Sequence, residues 1–227
     1  YYWPWLFQAG ADYYDPKTNK VTFDSPDAIR AVQFLSDLVH KDRWAPVPVA
    51  GADYEGRGKL FTAGRAAMII TGPWDVSTIK TGNPNLKWDV APSLTDKTQA
   101  TIAGGTSLFI PKAAKHPAEA WDLLKRFVAL DTELAASVPN GMTMPRKSWA
   151  AEAKVKADPI LGKFGQCLSY AHDLTAELRL TGKSAAVEQI FQSALDDIMY
   201  NDKPAQEVLT AAAGQANLPG GLIGDAE

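Results

Sequence analysis

Cysteine and histidine are scarce in this 227-residue sequence, which contains one cysteine, Cys167, and three histidines. A single cysteine excludes an intrachain disulfide, and the histidines have no partners at the short spacings that metal ligands share. We therefore expect neither a metal site nor a cofactor. The net charge of -3 and the lack of a dense Lys/Arg cluster predict no nucleic-acid partner.

Long apolar runs are also missing from the sequence. None approaches the roughly 20 residues that a bilayer-spanning helix needs. The first residues do not follow the basic, apolar and small-residue order of a signal peptide. Because Tyr1-Tyr2-Trp3-Pro4-Trp5 is an unusual natural beginning, we expect any such signal to lie upstream of Tyr1.

Common enzyme motifs fail at defined positions. The run from Gly56 to Lys59 resembles a phosphate-binding loop, but Asp53 stands where the first glycine belongs and Leu60 where the hydroxyl belongs. The Gly-Thr-Ser sequence that begins at Gly105 lacks the second glycine of a nucleophile elbow. We therefore predict no catalytic residue.

Apolar runs alternate with amphipathic helical patterns along the chain. Ser25-Pro26-Asp27 offers a side-chain cap, a proline and an acid at a helix start. Gly64 is expected to end a later helix in the left-handed conformation. Three runs have the composition of strands: residues 66–70, 88–91 and 107–110. The alternation predicts an α/β architecture with helices covering a sheet.

Several of the seven tryptophans avoid the helical core stripes. Trp3 and Trp5 lie in a loop-like aromatic opening, Trp74 follows a Gly-Pro turn, and Trp149 follows Pro145-Arg146. Flat indole rings match the apolar faces of sugars, and such a binding site needs no catalytic group. Packing in the core or at an interface is the alternative for each ring. We expect the remaining tryptophans to be structural: Trp44, Trp88 and Trp121.

The segment FTAGRAAMIITGPW, residues 61–74, combines a helix end, a glycine turn, an apolar run and a Gly-Pro break before Trp74. It resembles a motif in the C-terminal lobe of family 1 solute-binding proteins, the maltose-binding-protein-like components of sugar ABC importers. Further segments resemble this family in the same order: residues 2–10, 103–121 and 190–209. The resemblance covers nearly the whole chain.

This resemblance implies a periplasmic-binding-protein-like type II fold, mainly its C-terminal lobe, with helices covering a short mixed sheet. Residues 1–103 would form a second-lobe α/β segment, and residues 104–140 a return segment that packs in the first lobe. Residues 141–227 would form a helical part that returns to the second lobe. Most of the first lobe has no counterpart, so the chain is expected to be a fragment.

The resemblance also implies a ligand site. Trp74 would be the stacking platform of the second lobe, with Trp3 and Trp5 lining the same face. Further residues are implied as hydrogen-bonding partners of the ligand: Gly105, Thr106, Arg146 and Arg179. For the two arginines, an ordinary surface position is the alternative.

The implied function is saccharide binding, without catalysis, in a cleft between two lobes, followed by delivery to ABC permease subunits. The location would be periplasmic or otherwise extracytoplasmic, with the protein soluble or lipid-anchored. The apolar face of the return segment, Trp121 and Leu124 included, would lack its partner and invite dimerisation. Two other functions remain open: a glycoside-active enzyme whose tryptophans form subsites, and an aromatic protein-interaction domain.

Overall fold

A computed structural model describes residues 2–48, 56–105, 107–173, 178 and 181–217. The chain divides into two compact units, each assembled from segments that are distant in sequence. The first unit comprises Tyr1–Ala52, Ser93–Ala103 and Tyr170–Glu227, and the second comprises Asp53–Pro92 and Gly104–Ser169. The division expected from the sequence, at residues 1–103, 104–140 and 141–227, stays a prediction.

The described residues are rich in helix. In chain order the helices are α1 (Trp3–Gln8), α2 (Pro26–His40), α3 (Gly56–Thr62), α4 (Val76–Gly82), α5 (Pro117–Phe127), α6 (Leu130–Asn140), α7 (Lys147–Ala151), α8 (Ala153–Ala157), α9 (Pro159–Cys167), α10 (Ser184–Asn201) and α11 (Ala205–Ala216). Two 3-10 turns, Pro73–Asp75 and Leu168–Tyr170, precede α4 and follow α9.

Helix α2 begins where the sequence predicts. The Ser25 hydroxyl accepts a hydrogen bond from the Ala28 amide at 3.4 Å, and Pro26 occupies the first turn, where it has no amide hydrogen to leave unpaired. The predicted apolar stripe of α2 is buried, as Val32 and Leu35 show. The buried stripe of α2 forms one side of the core of the first unit.

The core of the first unit lies between α1, α2, α10 and α11. Its most deeply buried side chains are Leu6, Phe23, Val32, Val187, Phe191, Leu195, Ile198 and Leu209. The amide of Asn217, just after α11, donates to the Val21 carbonyl and accepts from the Val21 amide, at 3.1 and 2.9 Å. This side chain therefore completes backbone pairing that a neighbouring strand would otherwise supply.

Strands are short and occur in two pairs within the first unit. Strand β1 (Tyr14–Asp15) pairs antiparallel with β2 (Lys20–Val21), and β3 (Thr101–Ala103) pairs parallel with β4 (Ala171–Asp173). The ring of Phe7 stacks on His172 of β4, with centroids 4.6 Å apart. Helix α1 is thereby attached to the parallel pair.

The second unit has a smaller core around Trp149, Val155 and Leu161, which are buried on and between α7, α8 and α9. Partly buried side chains of α6 pack against this cluster, among them Leu134 and Val138. Short helices with few fully buried residues make up the rest of the unit.

The three strands predicted at residues 66–70, 88–91 and 107–110 are not formed, and those predictions are wrong for the described structure. Met68 and Phe109, which the apolar pattern places in a buried sheet, are 87% and 79% exposed. A strand requires a neighbour for its amide and carbonyl groups, and none of these runs pairs with another described segment. The fold is therefore helix-rich, with two-stranded pairs in place of the expected sheet.

Among the described residues, no helix combines the length and apolarity needed to cross a membrane. The same part of the chain contains no cluster of histidine, cysteine and acidic side chains that could hold a metal ion.

Candidate ligand-binding surfaces

Trp74 lies in the 3-10 turn between an extended glycine and helix α4. Its side chain is 40% exposed, so one part of the indole meets solvent and another contacts protein. A Cβ atom at Gly72 would lie 2.2 to 2.6 Å from three atoms of the indole ring. The ring therefore packs directly over the Gly72 backbone, which only a glycine permits.

The turn that carries Trp74 is anchored on both sides. The Thr71 hydroxyl donates a hydrogen bond to the carboxylate of Asp75 across the turn. Val76 and Ile79 are almost fully buried and pack α4 against the rest of the second unit. A Cβ at Gly141, where φ is +72°, would come within 2.4 Å of Val76. The end of α6 therefore forms a close-fitting support beneath the start of α4.

Trp3 takes up a mixed position in the first unit. Its ring stacks on Phe191 with centroids 4.6 Å apart and is tilted against Tyr13 at 4.3 Å. Trp3 thus packs against the core cluster of the first unit, but its side chain is only partly buried. The predicted loop-like opening is instead helix α1, which begins at Trp3 with Pro4 in its first turn.

The uncovered part of Trp3 borders a surface depression of about 380 Å³ between the start of α1 and the first half of α10. Its lining also includes Tyr2, Glu188, Gln189 and Gln192. Burial raises the pKa of the Tyr2 phenol, and the nearby Tyr200 and Asp196 act in the same direction. A phenol is protonated at neutral pH even at its ordinary pKa of about 10, so the Tyr2 hydroxyl can donate a hydrogen bond.

Trp5 does not belong to the lining of this depression. It lies two positions after Trp3 on α1, which turns the two side chains about 200° apart. Its ring packs at a tilt against Phe34 of α2, with centroids 5.8 Å apart. Trp3 and Trp5 lie in the first unit and Trp74 in the second.

Arg146 forms hydrogen bonds within the second unit. Its Nε donates to Glu133 Oε2 at 2.9 Å, and its Nη2 donates to the Val128 carbonyl. The Glu133 side chain is nearly buried. Through its two bonds Arg146 links the residue that follows α5, helix α6 and the start of α7. These bonds are structural ones, whatever further contact the guanidinium makes.

Trp149 is a core residue. Its side chain is 0% exposed, and its indole Nε1 donates to Ser137 Oγ at 2.8 Å. The hypothesis that Trp149 contacts a ligand is therefore wrong, and the alternative of core packing holds.

Of the other predicted ligand contacts, the structure describes Gly105. Gly105 is exposed, and a Cβ built on it would meet no atom within 4 Å. Thr106 and Arg179 lie outside the described residues.

Sequence reasoning missed the polar side chains beside Trp3. They belong to a stripe on α10 at the i, i+3, i+4 and i+7 positions: Ala185, Glu188, Gln189 and Gln192. The spacing puts these residues on one helix face, next to the apolar face that the sequence does reveal. This polar stripe was the available signal.

Comparison with known proteins identifies the chain's family. Residues 1–133 match the bacterial extracellular solute-binding protein family. The chain belongs to this family. Its members are solute-binding proteins and not enzymes, which confirms the prediction of a non-catalytic protein and removes the glycoside-active alternative.

Two curated proteins are similar to the chain in sequence. The maltotriose-binding protein of Pyrococcus abyssi is 26% identical over 205 residues, which are 86% of this chain and 42% of that protein. The arabinooligosaccharide-binding protein of Bacillus subtilis is 25% identical over 129 residues, or 55% of this chain and 29% of that protein. The chain thus spans less than half the length of these curated relatives.

Solved structures share the fold. A solute-binding protein of Thermotoga lettingae bound with alpha-D-tagatose superposes with a TM-score of 0.80 at 23% identity, covering 93% of this chain and 54% of that one. Maltose-bound MalE3 of T. maritima gives a TM-score of 0.79 at 23% identity, covering 93% and 55%. The chain therefore has the architecture of about half of a periplasmic-binding-protein fold.

Proposed function

We propose that the chain is the part of an ABC-importer solute-binding protein that contributes an aromatic platform for a saccharide. The half-exposed indole of Trp74, packed over Gly72 on a supported turn, carries this proposal. A ring in that position keeps one surface available while the turn restricts its rotation. The sugar-binding names of the two curated relatives support a saccharide over other solutes.

The chemistry of stacking fits this arrangement. The apolar C–H faces of a sugar ring pack against a flat aromatic surface, while polar side chains bond its hydroxyl groups. In the proposed site Trp74 stacks on the saccharide. Trp3 and Trp5, which belong to the first unit, stay separate proposals as aromatic contacts. The proposed hydrogen-bonding partners are Gly105, Thr106, Arg146 and Arg179. For Arg146, ligand binding would have to coexist with its bond to Glu133.

In the complete protein, we propose that this chain is mainly the second lobe and that residues 104–140 return to the first. Closure of the two lobes on a saccharide would present the complex to permease subunits in the membrane. The family description supports an extracytoplasmic location, and we propose the periplasm or the outer face of the membrane, with the protein soluble or lipid-anchored.

Calorimetric titration of the chain with maltotriose and with an arabinooligosaccharide tests the proposal. Because the chain matches about half of the solved relatives, we expect weak binding with a Kd in the millimolar range, about -4 kcal/mol. Trp74→Ala should reduce affinity at least about tenfold, and Trp74→Phe should restore part of it because a flat ring remains.

Trp44→Ala is the matched control, since Trp44 is 82% exposed and is not a proposed contact. It should leave the affinity unchanged. Equal losses from the two alanine variants would contradict the assignment of Trp74. Absence of heat and of any tryptophan fluorescence change with either saccharide would favour the alternative of a protein-interaction domain.

A further inference from the structure

Gln8, the last residue of α1, has a buried polar side chain that bonds a segment distant in sequence. The residue is 6% exposed, and its Nε2 donates a hydrogen bond to the Ala100 carbonyl at 2.8 Å. Ala100 is itself fully buried and directly precedes β3. A buried carbonyl needs a hydrogen-bond donor, and Gln8 supplies it. The side chain of Gln8 therefore ties α1 to the start of β3.

The backbone of Gln8 contacts the same segment. Its carbonyl accepts hydrogen bonds from the amides of Lys97 and Thr98, at 3.0 and 3.1 Å. The last carbonyls of a helix have no partner within it, so residues 97–100 cap the C-terminal end of α1. The exposed ion pair of Lys97 with Asp27 also joins this segment to α2, but exposed pairs contribute little. The hydrogen bonds of Gln8 therefore hold the end of α1 more firmly than these charges.

Trp3 lies at the other end of the same short helix, about 7.5 Å from Gln8 along the axis. A helix of six residues is not stable by itself, and α1 begins without a side-chain cap. Its orientation is therefore set by core packing, including that of Trp3 on Phe191, and by the bonds at Gln8. Side chains reach about 5 Å from a helix axis, so a rotation of α1 by about 10° would move the Trp3 ring by about 1 Å.

From these contacts we infer that Gln8 is a positioning residue for the aromatic surface at Trp3. It holds α1 in one rotation against residues 97–100, and this sets where the Trp3 ring lies at the depression between α1 and α10. The effect of Gln8 on saccharide affinity rests on the proposed function, in which Trp3 is an aromatic contact. Its effect on the position of the ring does not.

Gln8→Met tests the inference, because methionine keeps the length of the side chain but cannot donate to the Ala100 carbonyl. In the full chain labelled with 5-fluorotryptophan, Trp3→Leu identifies the fluorine resonance of Trp3 by its loss. Gln8→Met should shift that resonance in the absence of ligand. It should also lower the affinity for maltotriose about threefold to tenfold.

Gln33→Met is the matched control. Gln33 of α2 accepts a hydrogen bond from the Ala205 amide of α11 at 3.2 Å, so the same substitution removes another long-range bond of the first unit. It should leave the Trp3 resonance in place. Circular dichroism and thermal unfolding establish that each variant is folded.

Gln8→Glu supplies a conservative variant with a pH-dependent donor. At neutral pH its carboxylate repels the Ala100 carbonyl, so the Trp3 resonance should shift. Below the pKa of the introduced carboxyl, which burial raises above about 4.3, the protonated acid can donate and the resonance should return towards its original position. Other groups near α1 titrate as well: Asp27, Asp96 and His172. The original chain and Gln8→Met are therefore followed over the same pH range, and neither should show this return.

A double-mutant cycle separates positioning from a general loss of structure. Since Gln8 acts through Trp3, Gln8→Met should lower maltotriose affinity much less in a Trp3→Leu chain than in the original one. Calorimetric titration of the four chains measures the difference.

Three results would overturn the inference. The first is a Trp3 resonance that stays in place in a folded Gln8→Met chain. The second is an equal shift from Gln33→Met, and the third is an equal loss of affinity with and without Trp3. If the original chain binds no maltotriose, the proposed function fails, whereas the resonance measurements still decide the role of Gln8.

Discussion

Substitution of Gly72 by alanine tests whether the turn holds the Trp74 indole in place. The new Cβ would lie 2.2, 2.3 and 2.6 Å from Cη2, Cζ3 and Cζ2 of that ring. Carbon atoms in contact are about 3.5–4.0 Å apart, so the ring must move by more than about 1 Å. The backbone at Gly72 is extended, with φ -126° and ψ -176°, and alanine adopts this conformation without strain.

The expected effects of Gly72→Ala on folding and on binding differ in size. The free energy of unfolding should change by less than about 1 kcal/mol, because the restricted unfolded chain offsets lost contact with the ring. Affinity for maltotriose should fall about tenfold, or about 1.4 kcal/mol, because a displaced indole cannot stack in its original geometry.

Calorimetric titration and urea unfolding measure these two quantities on the same samples. Gly162→Ala is a suitable control, because a Cβ there meets no atom within 4 Å and Gly162 lies within α9 of the same unit. Unaltered maltotriose affinity in Gly72→Ala, together with unaltered tryptophan emission, would refute the idea that glycine positions this ring.

Two further predictions concern structural contacts. Trp149→Phe removes the buried hydrogen bond to Ser137 and should lower the free energy of unfolding by about 1–3 kcal/mol without changing saccharide affinity. Urea unfolding measures the stability and calorimetry measures the affinity. A loss of affinity in a folded variant would contradict the core assignment. Lys97→Met removes the hydrogen bond that is the main cause of the lowered pKa of Asp27. The pKa of Asp27 should therefore rise towards its ordinary value. A carboxyl group whose pKa is lower in the folded than in the unfolded state stabilises the fold at pH values above its unfolded pKa. That contribution is lost as the pH falls through the folded pKa. Without it, the variant should lose less stability on acidification than the original chain. A carbon-detected NMR titration checks the shift, and an unchanged pKa in the variant would contradict it.

Local sequence signals predicted the features of the fold that depend on near neighbours. The cap of α2 is one example, because Ser25, Pro26 and Asp27 are consecutive and need no distant partner. The left-handed Gly64 is another, with φ of +69°. The Gly-Pro break before Trp74 likewise predicted a turn that leaves the ring accessible.

Features that depend on distant partners were not predictable from the same patterns. The apolar run at residues 66–70 reads as a buried strand, but strand formation needs a pairing segment that the run itself does not encode. Trp149 follows Pro145-Arg146 and avoids the helical core stripes of the sequence, whereas the structure packs it with Val155 and Leu161 and bonds it to Ser137 of the preceding helix. In both cases the structure depends on residues that lie outside the sequence segment from which the prediction was made.

The candidate site was predictable in part for a related reason. Trp74 and Trp3 are recognisable because large aromatic residues outside core stripes are uncommon. The polar lining beside Trp3 comes from α10, more than 180 residues later in the chain. Only the folded structure shows which face of α10 meets α1.

Fluorine NMR of the chain labelled with 5-fluorotryptophan tests the central claim most directly. The chain has seven tryptophans, and Trp74→Phe identifies the resonance of Trp74 by its loss. On titration with maltotriose, the account predicts a saturable shift of that resonance, with the Trp149 and Trp44 signals unchanged. A Trp74 signal that stays fixed while saccharide binds, as measured by calorimetry on the same sample, would contradict it.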